Sequence, residues 1–475
     1  MNGTSRINMG IISYIVFGIN ALILFYFLLI CTIYIVLNIV AFFKMIRYNR
    51  TIKYLDLKRV FKLTNFKSIS VIVPAYNEEN GIVESIKSLL QLEYPDFQLV
   101  VVNDGSTDNT LQKIFENFSI RQVSFTPFYK LKSQLIRSVF MSSEYPNLIV
   151  IDKVNGGKAD AINAGINLAK SPLISVIDAD SVLERDCLLK IVRPFMEDEN
   201  VIAVGGTIRI ANGCSILHGN IVEVGLSKSW LARFQVVEYL RAFLFGRNGF
   251  DVLNGILIIS GAFSCFSRDA LLKIDGYRAG CIGEDMEIIV RMHKKLRKDN
   301  PKLRITFIPD PVCWTEAPET FKVLRSQRIR WQKGTVESIL LHKKLFMNPA
   351  YGWIGMVVFP YFALFEMLGP IIEIFGYGFF IFSLAFGFVT LSFAIAFLST
   401  AILYGVVLSV LSVILEELSF QRYPKISHLL KLITAAFLEN FGYRQLTTWW
   451  RFQGMVEYFS GKRHWGQMEK KGFTK

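Results

Sequence analysis

Two long apolar runs frame the chain. From Ile11 to Phe43 the sequence "IISYIVFGINALILFYFLLICTIYIVLNIVAFF" carries no charged residue, more than the ~20 apolar residues a bilayer-spanning helix needs. From Gly352 to Leu415 a second apolar zone has Glu366 and Glu373 as its only charges. Between them, from Ser68 to Leu345, apolar and polar positions mix over a stretch long enough for one large soluble domain. The first run has no small-residue cleavage site, so it reads as a retained anchor and not a removed leader.

Within the soluble stretch the period of the pattern alternates. "SISVIVPAY", "FQLVVVND", "NLIVIDK" and "LISVIDAD" are continuous apolar runs of strand length. Between them, "NGIVESIKSLLQL" places Ile82, Ile86, Leu89 and Leu90 on one helical face. A second helix is predicted from about Thr110, and a third through "KADAINAGINLAKS". Strands alternating with helices predict βαβ units, hence an α/β domain with a mainly parallel sheet covered on both faces. Polar clusters follow each strand: Tyr76-Asn77-Glu78, Asn103-Asp104-Gly105-Ser106, Asn155-Gly156-Gly157-Lys158 and Asp178-Ala179-Asp180. They fall at the carboxyl edge, where such sheets bind ligands.

Charge settles the orientation to expect. The chain has 53 Lys+Arg against 39 Asp+Glu, a formal net charge of +14. Nucleic-acid binding has no supporting motif, and the basic runs instead flank the apolar ones: "FFKMIRYNRTIKYLDLKRVFK" after the first and "GKRHWGQMEKKGFTK" at the end. Short basic flanks mark the cytoplasmic side. The expectation is a multi-pass protein of the cell membrane, its N-terminus outside and its central soluble domain and tail cytoplasmic. An even number of later crossings follows. Four are preferred, at roughly 352–376, 378–397, 399–416 and 429–447; two is the alternative, because "FLENFGYRQL" makes a poor span. The expected layout is an N-terminal membrane segment (1–50), a cytosolic catalytic domain (51–320), an interfacial helix region (321–350), a membrane channel region (351–448) and a basic tail (449–475). Six cysteines form no CxxC pair, which fits a reducing compartment and offers no zinc site.

Several motifs carry chemistry, and each has a plain structural reading beside the functional one. Tyr76 can stack on a base, and Glu78 or Asp104 can accept from a ring N–H; equally, "NDGSTDNT" is a capped strand-to-helix loop. "NGGKADAIN" joins a glycine pair, Lys158 and a helix start, suited to an anion, or is an ordinary turn. Asp178 and Asp180 leave a strand end on the same face, where a divalent cation would offset their repulsion; alternatively they cap the next helix. In "GEDMEIIVRM", Glu284 and Asp285 open a helix, favourable for the dipole alone, and Asp285 is a candidate general base. "QRIRW" sets Gln327, Arg330 and Trp331 at i, i+3 and i+4 on one face. A guanidinium there can read a diphosphate and an indole can stack on a sugar ring.

Taken in order, "PAYNEE", "NDGSTDNT", "GGKADAIN", "DADS", "GED" and "QRIRW" resemble the inverting family 2 glycosyltransferases, and within them the membrane-embedded processive synthases of cellulose, chitin, hyaluronan and poly-β-1,6-N-acetylglucosamine. The usual Thr-Glu-Asp is Gly283-Glu284-Asp285 here. "CWTEAPET" is closest to the poly-N-acetylglucosamine branch. The resemblance implies a GT-A domain between transmembrane helices, a UDP-sugar donor (UDP-N-acetylglucosamine or UDP-glucose), and Mg²⁺ or Mn²⁺. It implies that Ala75, Tyr76, Glu78, Asp104 and Lys158 face the nucleotide, that Asp178 contacts it, and that Asp180 holds the metal. Asp285, beside Glu284, would be the catalytic base. Gln327, Arg330 and Trp331 would hold the diphosphate and the acceptor's terminal sugar, with Ser260 and Gly261 of "ISGAF" at the acceptor end. The expected product is an exported β-linked polysaccharide. Its growing chain would be the acceptor, membrane lipid the surroundings, and export or accessory membrane subunits possible partners. Single-sugar transfer to a lipid or glycan is the alternative; a non-catalytic sugar-nucleotide sensor is a remote one.

Overall fold

The structure is a computed structural model that describes residues 3–53, 66–125, 130–217, 219–423 and 425–462. The catalytic domain is built on a ten-stranded sheet. Its first strands are β1 (Ile69–Ala75), β2 (Phe97–Asn103), β3 (Ile120–Val123), β4 (Ile136–Ser142), β5 (Leu148–Lys153) and β6 (Leu173–Ile177). β7 (Val182–Leu183), β8 (Val201–Ile210), β11 (Phe263–Ser267) and β12 (Arg304–Thr315) complete it, while β9 (Ser215–Leu217) and β10 (Asn220–Glu223) pair with each other.

The strand order is β3-β4-β5-β2-β1-β6-β11-β8-β12-β7. β5, β2, β1 and β6 run parallel, as does the β8–β12 pair. β11 enters antiparallel between β6 and β8, and antiparallel pairs close both edges. The parallel block is the part the alternating pattern predicts; its strands are largely apolar because helices cover both faces. The chain walks outward from β1 to β2 and β5, then returns to place β6 on the other side of β1. That reversal is a topological switch point, and a crevice opens there beyond the strands' carboxyl ends.

The membrane helices differ from the expected four later spans. Tyr14–Arg50 and Leu391–Ser419 are long and apolar enough to cross a bilayer, and Ile354–Met367 with Gly369–Ala385 forms a third candidate bent by 49°. Leu391–Ser419 is one unbroken helix, started by Thr390, whose hydroxyl accepts from the Phe393 N–H. It therefore bridges the boundary expected between 397 and 399. Ile426–Leu438 has 13 residues, about 20 Å at the α-helical rise and short of the ~30 Å hydrocarbon core. Gly442, at φ 103°, then turns the chain into Tyr443–Phe459, which packs along the helix Phe321–Leu341 that carries "QRIRW"; Gly454 faces Ile329 there.

The bend has a local cause. Pro370 lacks the N–H that would bond the Glu366 carbonyl, so that carbonyl is left over in the helix. Arg451 Nη2 donates to it at 2.6 Å and Gln332 Nε2 at 3.2 Å, while Gln332 also reaches the Met367 carbonyl at 3.1 Å. Gln332 follows Trp331 directly, so the broken membrane helix is fastened to the "QRIRW" helix. Buried ion pairs tie the domain down elsewhere: Arg209 to Glu416, Arg241 to Glu439 and Lys44 to Asp251. The second part of the basic run after the first helix, from 54 on, and the tail from 463 on lie outside the described residues.

Candidate active site

The crevice at the switch point is the mouth of a cavity of about 1730 Å³. All fourteen candidate residues line it: Ala75, Tyr76 and Glu78; Asp104; Lys158; Asp178 and Asp180; Ser260 and Gly261; Glu284 and Asp285; Gln327, Arg330 and Trp331. Residues as far apart in sequence as Tyr76 and Trp331 meet because β1, β2, β5 and β6 all end at this edge and the helices starting at Glu284 and Phe321 close over it.

Asp104 is 2% exposed and its carboxylate is already engaged. It accepts from the backbone N–H groups of Gly156 at 3.0 Å and Gly157 at 2.8 Å, and from Lys153 Nζ. The glycine pair expected to meet an external anion thus meets an internal one. Gly157 adopts φ 86°, and a Cβ on Gly156 would lie 2.5 Å from the Asp160 carboxylate, so this loop accepts no side chain. Lys153, fully buried, is shared between Asp104 and Asp160. Neither Lys153 nor Asp160 stands out in the sequence, since each sits where a strand or helix residue is ordinary.

Lys158 lies at the open side of that loop. Its Nζ is 2.6 Å from Asp178 and 3.2 Å from Glu284. Burial acts to strip its proton, but the charges of Asp178 and Glu284 override this and hold the ammonium on. Burial pushes the carboxyls of Asp178, Glu284 and Asp285 above the ordinary range, with Lys158 opposing in each case. Asp285 Oδ1 also accepts from the Met286 N–H at 2.9 Å. A carboxylate raised in this way is a stronger base than an exposed one.

Gly261 and Gly283 make the centre close. A Cβ on Gly261 would lie 3.1 Å from Lys158 Nζ and 3.7 Å from Asp285 Cβ. A Cβ on Gly283 would lie 2.7 Å from the Gly334 Cα. Gly283 therefore sets the start of the acid helix backbone-to-backbone against the "QRIRW" helix. On that helix Gln327 is buried and its Oε1 has no partner, an acceptor available for a ligand hydroxyl. Trp331 is 42% exposed, with the Arg328 guanidinium 4.4 Å from its ring centre and held by Glu238 at 2.7 Å.

Among the described residues no group of three or more His, Cys, Asp and Glu converges as a metal cage. The donor set fits a metal of another kind. Magnesium and manganese bind through one or two carboxylates and take further oxygens from substrate phosphates, and Asp180 faces the cavity while Asp178 is held by Lys158.

Comparison with known proteins gives this geometry its family. Residues 70–274 match glycosyl transferase family 2, and residues 173–411, half of the chain, match glycosyl transferase family group 2. The chain is a family 2 glycosyltransferase. The GT-A domain expected from the motifs is the mixed α/β sheet described above. The poly-beta-1,6-N-acetyl-D-glucosamine synthase of Staphylococcus epidermidis is 28% identical over 274 residues, 58% of this chain and 56% of that protein. Its counterpart from Staphylococcus aureus strain MSSA476 is 27% identical over 295 residues, 62% of this chain and 61% of that one. The match therefore spans little more than half the length of these relatives. A mannosyltransferase from Pyrobaculum calidifontis, solved with GDP-Man and Mn2+, aligns over 87% of this chain and 99% of its own at 19% identity and a TM-score of 0.49.

Proposed function

We propose that this glycosyltransferase polymerises a sugar from a UDP-linked donor and passes the growing chain into its membrane helices. The observation that carries this reading is the continuity of the cavity. It runs from Tyr76 and Asp104, past Asp285 and Trp331, to Tyr34, Glu366 and Glu373 on the candidate membrane helices. An enzyme that hands one sugar to a lipid or short glycan has no need of such a run. The name of the relatives makes UDP-N-acetylglucosamine the first donor to test.

In this reading Tyr76 stacks on the uracil at the rim, and Ala75 and Glu78 complete the nucleoside wall. Asp104 shapes the wall from behind by holding the glycine loop. Lys158 and Arg330 neutralise the diphosphate, and Asp178 keeps Lys158 aimed. A magnesium or manganese ion at Asp180, when bound, would stabilise charge on the departing UDP. Gln327 accepts from a donor hydroxyl, and Trp331 stacks on the acceptor's terminal sugar. Asp285 takes the proton from the acceptor hydroxyl as its oxygen attacks the anomeric carbon. The bond to UDP breaks on the opposite face, so an α-linked donor gives a β-linkage. The basic flank after the first helix is read as cytoplasmic, which puts the N-terminus outside and the catalytic domain in the cytoplasm; counting the bent pair as one span gives three crossings.

The test is incubation of purified protein with UDP-N-acetylglucosamine and sizing of the product. Long polymer supports the proposal, whereas only dimers or a monosaccharyl-lipid would sink its processive part. The same assay with EDTA measures the metal requirement.

A further inference from the structure

The helix Trp230–Leu240 runs directly into a π-helical stretch, Arg241–Arg247, a geometry common at functional sites. Along it Tyr239, Phe243 and Arg247 recur every four residues, and all three line the cavity. The Tyr239 ring lies 6.5 Å from Trp331 and 5.6 Å from Phe243, and the Arg247 guanidinium sits 3.8 Å over the Phe243 ring. An aromatic row thus leads from Trp331 to a cation.

That cation lacks what its equivalents have. Arg209, Arg241, Arg291, Arg328 and Arg451 each meet a carboxylate. Arg247 makes no hydrogen bond or ion pair among the described residues, and its Nη1 is shielded from solvent with no partner. A guanidinium that lines the cavity without an acid or carbonyl on it keeps donors to offer a ligand oxygen, and leaving them unpaired is costly. Burial lowers its pKa to about 10 and the charge of Asp285 opposes this, so the group remains a cation and lies within electrostatic reach of the candidate base.

We propose that Tyr239 and Arg247 form a subsite for the acceptor glycan, the Tyr239 ring lying along a pyranose face and the guanidinium, backed by the buried Phe243 ring, donating to an oxygen of the sugar presented to Asp285. This rests on the glycosyltransferase reading of the cavity and adds a wall that faces acceptor and not donor. The row begins at Trp331 and ends at Arg247, whose charge acts on Asp285, whereas the lysine and acids suited to a diphosphate lie on the β5–β6 side.

The experiment uses full-length protein in detergent, with UDP-N-acetylglucosamine as donor and an N-acetylglucosamine tetrasaccharide as acceptor. Arg247→Met keeps the aliphatic contact with Phe243 and should melt as the wild type does. Its acceptor KM should rise about 10- to 100-fold, the loss of one charge-assisted hydrogen bond, with a much smaller change in kcat at saturating acceptor and unchanged UDP affinity by calorimetry. Arg247→Lys should recover part of the acceptor KM. An unchanged acceptor KM in Arg247→Met, or a loss of UDP affinity as large as the loss of acceptor affinity, would overturn the proposal while leaving the donor site standing. A wild-type protein that binds no UDP would overturn the donor reading, and this subsite with it.

Discussion

Lys153 and Lys158 lie on either side of one loop, and each bridges two acids, yet their surroundings differ in kind. Lys153 is sealed between Asp104 and Asp160, with backbone N–H groups filling the remaining lone pairs of Asp104. Lys158 joins Asp178 and Glu284 at the cavity wall, its side chain 23% exposed. The buried cluster is complete and fixes a loop. The open one is incomplete by design of position: its carboxyls are raised by burial and its ammonium faces the space where a diphosphate would lie. Similar residue types serve architecture in one place and chemistry in the other, and solvent access decides which.

The comparison can be broken by experiment. On the open side, Asp285→Asn should lower transfer by about 10²- to 10⁴-fold, the usual worth of a general base, while UDP affinity stays within a few-fold; polymer made at the wild-type rate would refute the assignment. On the sealed side, Lys153→Met should cost about 3–5 kcal/mol of stability, because removing one partner leaves buried charge uncompensated; an unchanged melting temperature would contradict this. Lys158→Met should do the reverse, melting near the wild type but raising the donor KM about 10- to 100-fold.

Acidity sharpens the contrast. Burial raises the Asp285 carboxyl, so its active, ionised form appears only as pH climbs through that raised value. Transfer should therefore fade on acidification at a pH above the ordinary aspartate range of about 3.9, and Asp285→Asn should erase that limb of the kcat/KM profile. The same raised value disfavours the charged form in the folded state, so the contribution of Asp285 to stability is greatest at low pH and is lost as pH rises through it. The smallest effect belongs to the tie between the two halves. Gln332→Ala removes the donor to the Met367 carbonyl and leaves the Glu366 carbonyl to Arg451 alone at the Pro370 bend, and should cost about 1–3 kcal/mol, read as a lower melting temperature and shorter product.

Much of the catalytic domain was readable from local pattern. Apolar runs such as "FQLVVVN" and their alternation with helices specify β1, β2, β5 and β6, and a ligand edge follows because polar residues come after each strand. β11 and the edge pairings were not readable, since an antiparallel partner is chosen over long sequence separations and leaves no period of its own. The boundaries of the later spans were not readable for a related reason. Hydropathy measures apolar length, but Pro370 and Gly442 bend the chain where hydropathy is unchanged, and Thr390 starts a helix that ignores the expected break at 397–399. In the site, the motifs named the acids and the "QRIRW" face. They did not distinguish Asp104, enclosed by its own loop, from Asp178, held open at the wall.

What the sequence by itself determined is the inventory and its order: two apolar frames, four parallel strands, and acids, lysine, glutamine and indole in the succession of a family 2 glycosyltransferase. Tertiary structure alone decided which groups are satisfied and which face the cavity. Gly283 meets Gly334 backbone to backbone, Gln332 caps a broken apolar helix, and Arg247 is left without an acid while ten other arginines among the described residues have one. Such facts depend on distances and solvent exclusion between segments far apart in the chain, which no local spacing encodes.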